Sequence, residues 1–209
     1  MKFDLHIHTK YSKCSNLEPS TVLKKAKKIG LDGIGVVDHN SFQGAIKTAK
    51  LNKDKNFKVL KGIEFETEYC HLLALDLNEE IKKTDFYGVI DKIKSQGALL
   101  IVAHPYASFR GNLKIDINKI KNNINALETY NSRALFSFEN DRAKNLALKL
   151  KLPQVAGSDA HFSFEIGNAY TQFQGDLRSA LKKRKTTAFG SNKTAFFAMS
   201  LSKINKILR

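Results

Sequence analysis

Short apolar runs alternate with amphipathic stretches along most of this chain. The runs have the length of strands, whereas the amphipathic stretches repeat apolar residues at the three- and four-residue spacing of a helix. The pattern predicts strands over residues 2–8, 33–38, 59–65, 71–77, 98–103, 125–130 and 153–157. It predicts helices over residues 19–28, 42–51, 85–96, 137–151 and 195–208. Repeated strand–helix units of this kind are typical of a mainly parallel sheet covered by helices.

Six or seven such units favour a barrel over an open sheet, and we expect a single α/β domain over residues 1–209. Side chains at the C-terminal ends of successive strands in such a barrel converge on one face. The chain places histidines and acids at these ends, at His6, His8, Asp38, His39, Glu64, His104, Asp159 and His161. We expect residues 174–209, which include the last predicted helix, to close the barrel. The alternative for that helix is a surface or partner-binding role.

All six histidines of the chain lie in short motifs at or beside the predicted strands. Imidazole is the commonest side-chain ligand of zinc, iron and similar metals. Residues two apart in a strand face the same way, so His6 and His8 would present two rings together. Asp4 would lie on the same side and hydrogen-bond one of these ligands. The pattern therefore predicts a metal site fed by several strands, and hence a hydrolytic enzyme, although each histidine taken singly could be an ordinary core residue.

Acidic residues share these strand ends. A buried carboxylate without a partner is costly, so Asp38 needs a cation or hydrogen-bond donors. A carboxylate can bridge two metal ions, which an imidazole cannot, and Glu64 is therefore the candidate bridge. Asp159 and His161 lie two residues apart among small residues that leave room for an ion. The alternative for any single acid is a helix cap or a loop turn.

The formal net charge of +15 in 209 residues is the unusual feature of the composition. Such a charge attracts phosphate groups on nucleic acids or metabolites, although lysine on helix faces is often merely solvated. No apolar run is long enough for a membrane span, so we expect no membrane partner. The chain starts directly with a motif-bearing strand, so we expect no signal peptide. Two isolated cysteines favour a reducing compartment, and we expect a cytoplasmic protein.

Six motifs in a fixed order resemble the PHP family, named for polymerase and histidinol phosphatase domains. They are DLHIH at 4–8, DH at 38–39, GIE at 62–64, HLL at 71–73, AHP at 103–105 and SDAH at 158–161. The resemblance covers roughly residues 2–173. It implies a distorted (β/α)7 TIM-like barrel with two or three divalent metal ions, either manganese, zinc or iron. It also implies hydrolysis of phosphate esters by a metal-activated water.

The resemblance further implies how the ligands are shared among the metals. One metal would take His6, His8, Glu64 and Asp159. A second would take Glu64, His71 and His104. A third, weaker site would take His39 and His161. The residues expected to act in catalysis are Glu64, His104, Asp159 and His161.

One position departs from the family pattern. The family usually carries an aspartate five residues after the second histidine, where this chain has Lys13. A protonated lysine cannot bind a metal, so the third site loses an expected ligand. Cys14 could replace it as a thiolate if the loop shifts by one residue; alternatively, Lys13 meets a substrate phosphate. Arg110 and Arg133, on loops beyond strand ends, are further candidates for phosphate binding, with surface salt bridges as the alternative.

The leading interpretation is a metal-dependent phosphoesterase that acts on nucleotides or short oligonucleotides. The positive charge favours nucleotides, and the absence of a long insertion between His71 and His104 indicates an open site. One alternative is a small-metabolite phosphatase of the histidinol-phosphate kind. The other is a non-catalytic barrel that binds RNA or serves as an accessory protein. The charge and Lys13 favour this last alternative, whereas the nearly complete ligand set opposes it.

Overall fold

The computed structural model describes residues 1–208, apart from the side chains of Lys206 and Leu208. Within this range the strands are β1 (Lys2–Ile7), β2 (Gly33–His39), β3 (Lys58–Glu66), β4 (His71–Leu75), β5 (Leu99–Val102), β6 (Ala126–Asn131), β7 (Gln154–Gly157), β8 (Ala169–Gln172) and β9 (Thr187–Gly190). The helices are α1 (Pro19–Lys28), α2 (Gln43–Leu51), α3 (Phe86–Ser95), α4 (Ser137–Leu150), α5 (Leu177–Lys182) and α6 (Ala195–Leu208). Arg209, at the end of the predicted closing segment, lies outside the described residues.

The strands form one sheet in the order β7-β6-β5-β4-β3-β2-β1-β8-β9, which curls into a nearly closed barrel. Ile7 pairs in parallel with Ala160, which joins β1 to the segment after β7. The hydroxyl of Thr171 in β8 donates to the carbonyl of Ala156 at 3.0 Å and accepts the N–H of the same residue at 2.8 Å. These contacts hold the two ends of the sheet together, and the predicted distorted barrel is confirmed.

The expectation of a mainly parallel sheet is wrong, because half of the strand pairs in residues 1–208 are antiparallel. The antiparallel pairs are β3–β4, β4–β5, β1–β8 and β8–β9. Only residues 67–70 join β3 to β4, too few for the helical crossover that parallel neighbours need. The hydrophobic pattern also misses β8 and β9, because these short strands contain no continuous apolar run.

An extra residue in β1 decides which of its side chains face the barrel interior. Asp4 and Ile7 lie three residues apart, but their partners on β2 lie two residues apart. Such a bulge reverses the alternation of side chains along a strand. Leu5 packs into the barrel interior, and His6 and His8, beyond the bulge, also reach the interior. Asp4 is turned away from them.

Apolar side chains fill two layers of the protein. The layer inside the barrel includes Phe3, Leu5, Val37, Leu73, Leu75, Ile101 and Val155. The layer between sheet and helices includes Val22, Leu23, Ala45, Val89, Ile90 and Ile93. The inner layer ends where the parallel strands end, and polar side chains replace apolar ones there. Over residues 1–208, no helix combines the length and the hydropathy that crossing a membrane requires.

Candidate metal centre

The structure brings all eight predicted metal-ligating side chains together at one mouth of the barrel. They form a ligand cluster made of His6, His8, His39, Glu64, His71, His104, Asp159 and His161. Their ligand-type atoms fall into overlapping groups within 4.8 Å, at the floor of a cavity of about 340 Å³. Most of these residues lie at or just beyond the C-terminal ends of parallel strands, and these strands all end at the same face. His71 starts its strand instead, and it reaches the same face because β4 runs antiparallel to β3.

Glu64, at the end of β3, stands at the centre of the ligand cluster with a side chain only 1% exposed. Its Oε1 lies 2.9 Å from Nδ1 of His71 and 3.2 Å from Nε2 of His104. Its Oε2 lies 3.0 Å from Nδ1 of His39 and 3.2 Å from Nε2 of His8. Oε2 also lies 3.4 Å from Nε2 of His6. The two oxygens therefore face separate sets of imidazoles, the arrangement of a carboxylate placed between two metal positions.

Hydrogen bonds from outside the ligand cluster fix which ring nitrogen faces it. Nδ1 of His6 lies 2.9 Å from Oε1 of Glu128, and a carboxylate only accepts, so Nδ1 carries the hydrogen. Nδ1 of His8 lies 3.2 Å from the hydroxyl of Ser12, which itself donates to Asp38 at 2.6 Å. In the neutral form of each ring, which is the form that binds metals, the lone pair therefore lies on Nε2, facing the ligand cluster.

The loop after β7 supplies the last two side chains of the ligand cluster, and its backbone is strained at Asp159. Asp159 has a left-handed φ of 54°, a conformation that costs about 1–3 kcal/mol in a non-glycine residue and often marks functional sites. Its Oδ1 lies 3.3 Å from Nε2 of His8, and its Oδ2 pairs with the guanidinium of Arg110. Burial, together with the charges of Arg133 and His8, lowers the pKa of His161 well below its usual value. His161 is therefore neutral at pH 7, as a metal ligand must be.

Opposite charges outweigh burial at the two carboxylates of the ligand cluster. Burial raises the pKa of Glu64, but His39 and His6 hold it well below its usual value. Burial acts the same way on Asp159, where Arg110 and His6 hold the pKa well below its usual value. Both acids are therefore ionised at neutral pH, the state in which carboxylates bind divalent cations.

The donor set fits a divalent metal. Oε2 of Glu64 and Nδ1 of His39 are buried atoms without a hydrogen-bond partner among the described residues, although they lie 3.0 Å apart. A buried polar atom left unpaired costs about 1–3 kcal/mol, and a shared cation would satisfy both atoms. Imidazoles combined with carboxylates are ligands that zinc, iron and manganese accept.

Asp38 and Asp4 support the site from outside the ligand cluster. Asp38 meets its need for donors by accepting the N–H of Thr9 at 2.7 Å and the hydroxyls of Thr9 and Ser12, each at 2.6 Å. The expectation that Asp4 hydrogen-bonds a ligand imidazole is wrong. Asp4 instead accepts backbone N–H groups, that of Ser158 at 2.8 Å among them, because the bulge in β1 turns it away. Burial raises the pKa of Asp4 to about 6 in spite of these hydrogen bonds.

The three residues predicted to bind phosphate lie in different surroundings. Lys13 is exposed and is absent from the described residues that line the cavity. Arg110 lines the cavity and pairs with Asp159. Arg133 also lines the cavity, but its side chain is 3% exposed and its Nε lies 2.7 Å from Oε1 of Glu165. Substrate binding by the three stays a prediction, and this geometry favours Arg110.

The sequence pattern did not predict two acids that support the ligand cluster. Glu128, in the middle of β6, orients His6 and accepts the backbone N–H of His104 at 2.8 Å. Glu165 accepts the backbone N–H of His161 at 2.9 Å. An acid inside an apolar strand was the available signal for Glu128, since a buried carboxylate needs partners. No local signal distinguishes Glu165 from an ordinary loop acid.

Comparisons with known proteins agree with this geometry. The family model described as PHP domain matches residues 4–135, and the model described as PHP-associated matches residues 138–186. The uncharacterized protein MJ1587 of Methanocaldococcus jannaschii is 36% identical over 170 residues. That match covers 75% of this chain and 96% of the relative.

Two solved structures have a similar fold. A candidate metal-dependent phosphoesterase from Bifidobacterium adolescentis has a TM-score of 0.63 and 15% identity, over 77% of this chain and 88% of that chain. An amidohydrolase from Chromobacterium violaceum, with bound sulfate and no metal, has a TM-score of 0.65 and 12% identity, over 88% of this chain and 97% of that chain. At these identities the likeness concerns the fold alone, which agrees with the barrel described above.

Proposed function

Since this chain belongs to the PHP domain family, we propose that it is a metal-dependent phosphoesterase acting on nucleotides or short oligonucleotides. The observation that carries the proposal is the buried carboxylate of Glu64, whose two oxygens face separate sets of imidazoles. Such a carboxylate can be shared by two divalent ions, with manganese, zinc and iron as the candidates. When bound, these ions supply an activated water and take up negative charge on the phosphoryl oxygens.

The residues around the cavity would bind and orient the substrate. The Arg110 side chain is 20% exposed at the cavity, where its guanidinium can reach a phosphate oxygen with fork geometry. Lys203 of α6 adds a second positive charge to the cavity lining. Phe109 lines the same cavity, is 71% exposed, and offers a ring on which a nucleobase can stack. An aromatic ring beside two cations supports a nucleotide over a small sugar phosphate.

The proposal is tested by combining metal analysis with two chromogenic substrates. Protein purified without chelator is analysed for metals and assayed with bis-p-nitrophenyl phosphate and p-nitrophenyl phosphate. We expect bound divalent metal and turnover that a chelator abolishes. Faster cleavage of the diester supports an oligonucleotide substrate, and faster cleavage of the monoester supports a phosphatase, including the small-metabolite kind.

Folded protein that stays inactive after manganese or zinc is added would overturn the proposal. That outcome would favour the non-catalytic, RNA-binding or accessory alternative. The variant Glu64→Gln serves as the control for contaminating phosphatases when its metal content is measured as well. Turnover that persists in folded variant protein that has lost its metal comes from a contaminant.

A further inference from the structure

The loop after β1 turns Cys14 toward the ligand cluster and Lys13 away from it. Cys14 is 4% exposed and lines the cavity, whereas Lys13 is exposed. Two buried serines hold this turn in place. The hydroxyl of Ser12 donates a hydrogen bond to Asp38, at the end of β2, at 2.6 Å. The hydroxyl of Ser15 donates one to the backbone carbonyl of His161 at 3.1 Å. Cys14, one residue after the position where the family usually has an aspartate, is therefore the residue that faces the ligand cluster.

The lone pair of His161 points at the sulfur of Cys14. Nδ1 of His161 lies 2.7 Å from the backbone carbonyl oxygen of Asp159, which only accepts, so Nδ1 carries the hydrogen. Nε2 therefore carries the lone pair, and it lies 2.9 Å from Sγ of Cys14. His39 lines the same cavity as this thiol, and its ligand-type nitrogen lies within 4.8 Å of that of His161. One sulfur and two imidazoles thus gather on one side of the ligand cluster.

A second, independent observation points to a cation at this place. Oε2 of Glu64 has no hydrogen-bond partner among the described residues, although the side chain is 1% exposed. This oxygen lies 3.0 Å from Nδ1 of His39 and 3.2 Å from Nε2 of His8. Ligand-type nitrogens of His8, His39 and His161 also lie within 4.8 Å of one another. A carboxylate oxygen and three ring nitrogens therefore converge beside the sulfur, as the ligands of a metal site do.

We propose that Cys14 is a ligand of the metal held by His39 and His161, and that it binds through its sulfur as a thiolate. Binding forms one metal–sulfur bond and releases the thiol proton to solvent. Sulfur in place of a carboxylate oxygen favours a borderline-soft ion such as zinc over manganese or magnesium. This inference rests on the metal centre of the proposed function, but it does not depend on hydrolysis.

Cobalt(II) tests this ligand directly, because a cobalt–thiolate bond has an intense near-ultraviolet charge-transfer absorption that nitrogen and oxygen ligands lack. Metal-free wild-type protein and the variants Cys14→Ser, Cys14→Asp and Cys70→Ala are titrated with cobalt(II), and bound cobalt is counted by elemental analysis. The band should appear in the wild type and in Cys70→Ala and be absent from both Cys14 variants. Cys14→Asp should bind as many ions as the wild type, whereas Cys14→Ser should weaken the third site by at least ~10-fold.

Cys70 is the matched control because it is the other cysteine, is also buried, and does not line the cavity among the described residues. Circular dichroism of each variant shows that it is folded. Cobalt bound to the wild type without the band, or a band that survives in Cys14→Ser, would overturn the assignment. A band that depends on Cys14 in a protein without phosphoesterase activity would support the ligand and reject the enzyme. Folded protein that binds no cobalt would reject both.

Discussion

Nδ1 of His6 lies 2.9 Å from Oε1 of Glu128, a residue 122 positions further along the chain. The other oxygen of Glu128 accepts the backbone N–H of His104 at 2.8 Å. A single buried acid on β6 therefore orients the ring of His6 on β1 and fixes the backbone of His104 after β5. Neither contact uses the ring nitrogens that face the ligand cluster, so Glu128 supports the candidate metal centre without occupying a ligand position.

Replacing Glu128 by glutamine should weaken metal binding by about 10–100-fold. A glutamine amide has one accepting oxygen, so either His6 or the backbone of His104 loses its acceptor. Affinity is measured by competition with a chelator of known strength. Glu18→Gln is the control, because the Glu18 side chain is 54% exposed and pairs with a surface lysine. Equal affinities in the two variants would contradict an orienting role for Glu128.

Glu64→Gln should lose bound metal and should lower turnover by more than the ~100-fold typical of residues that only orient a ligand. The neutral amide removes the charge between the imidazoles and leaves one oxygen where two are needed. Elemental analysis and p-nitrophenyl ester hydrolysis on the same preparation measure both effects. A Glu64→Gln protein with full metal content and full turnover would refute the bridging assignment.

Arg133→Met should lower the free energy of unfolding by about 3–5 kcal/mol, because Glu165 would stay buried without its cation. Nε of Arg133 lies 2.7 Å from Oε1 of Glu165, and both side chains are at most 3% exposed. Urea unfolding of metal-free protein measures the loss, and adding Glu165→Gln to the same variant should recover part of it. Unchanged stability with a raised KM would instead identify Arg133 as a substrate contact.

Arg110→Gln should raise KM for the phosphate ester by about 10–100-fold with a smaller effect on kcat, because it removes a charged hydrogen-bond donor from the cavity. Arg110→Lys should recover only part of this loss, since an ammonium lacks the fork of the guanidinium. Arg178→Gln is the control, because Arg178 pairs with Asp76 on the surface. If KM stays unchanged in Arg110→Gln, the role of Arg110 is confined to its contact with Asp159.

Cys70 should be nearly inert toward alkylation in the folded protein. Burial raises its pKa from 9.0 to about 12, and the charge of Glu68 adds to the effect. Because thiols react as thiolates, Cys70 should react with iodoacetamide about 10³-fold more slowly at pH 8 than an ordinary thiol. The rate should still rise with pH above pH 10, where an ordinary cysteine has levelled off. Peptide mapping by mass spectrometry follows the alkylation of Cys70. Unfolding in urea should remove the protection of this thiol. A reaction rate that levels off below pH 10 in the folded protein would contradict the raised pKa.

Much of the site could be predicted because its ligands lie in local patterns. His6, Glu64 and His161 each fall where an apolar run ends, and the run and the side chain after it are properties of a few consecutive residues. Strand and helix positions follow from the same periodicity, and every predicted element lies within two residues of the observed ends. The missed strands β8 and β9 are held by pairing with their neighbours rather than by an apolar run of their own.

The sequence by itself determined which side chains are available at the mouth of the barrel, because local periodicity places strand ends. Only the tertiary structure decided which of them face inward and which atoms they present. The bulge in β1 turns Asp4 away, the anchored loop presents Cys14 instead of Lys13, and Glu128 reaches His6 across the barrel. The physical reason is that strand register and long-range hydrogen bonds join residues far apart in the chain. A local pattern of polar and apolar residues does not identify such distant partners.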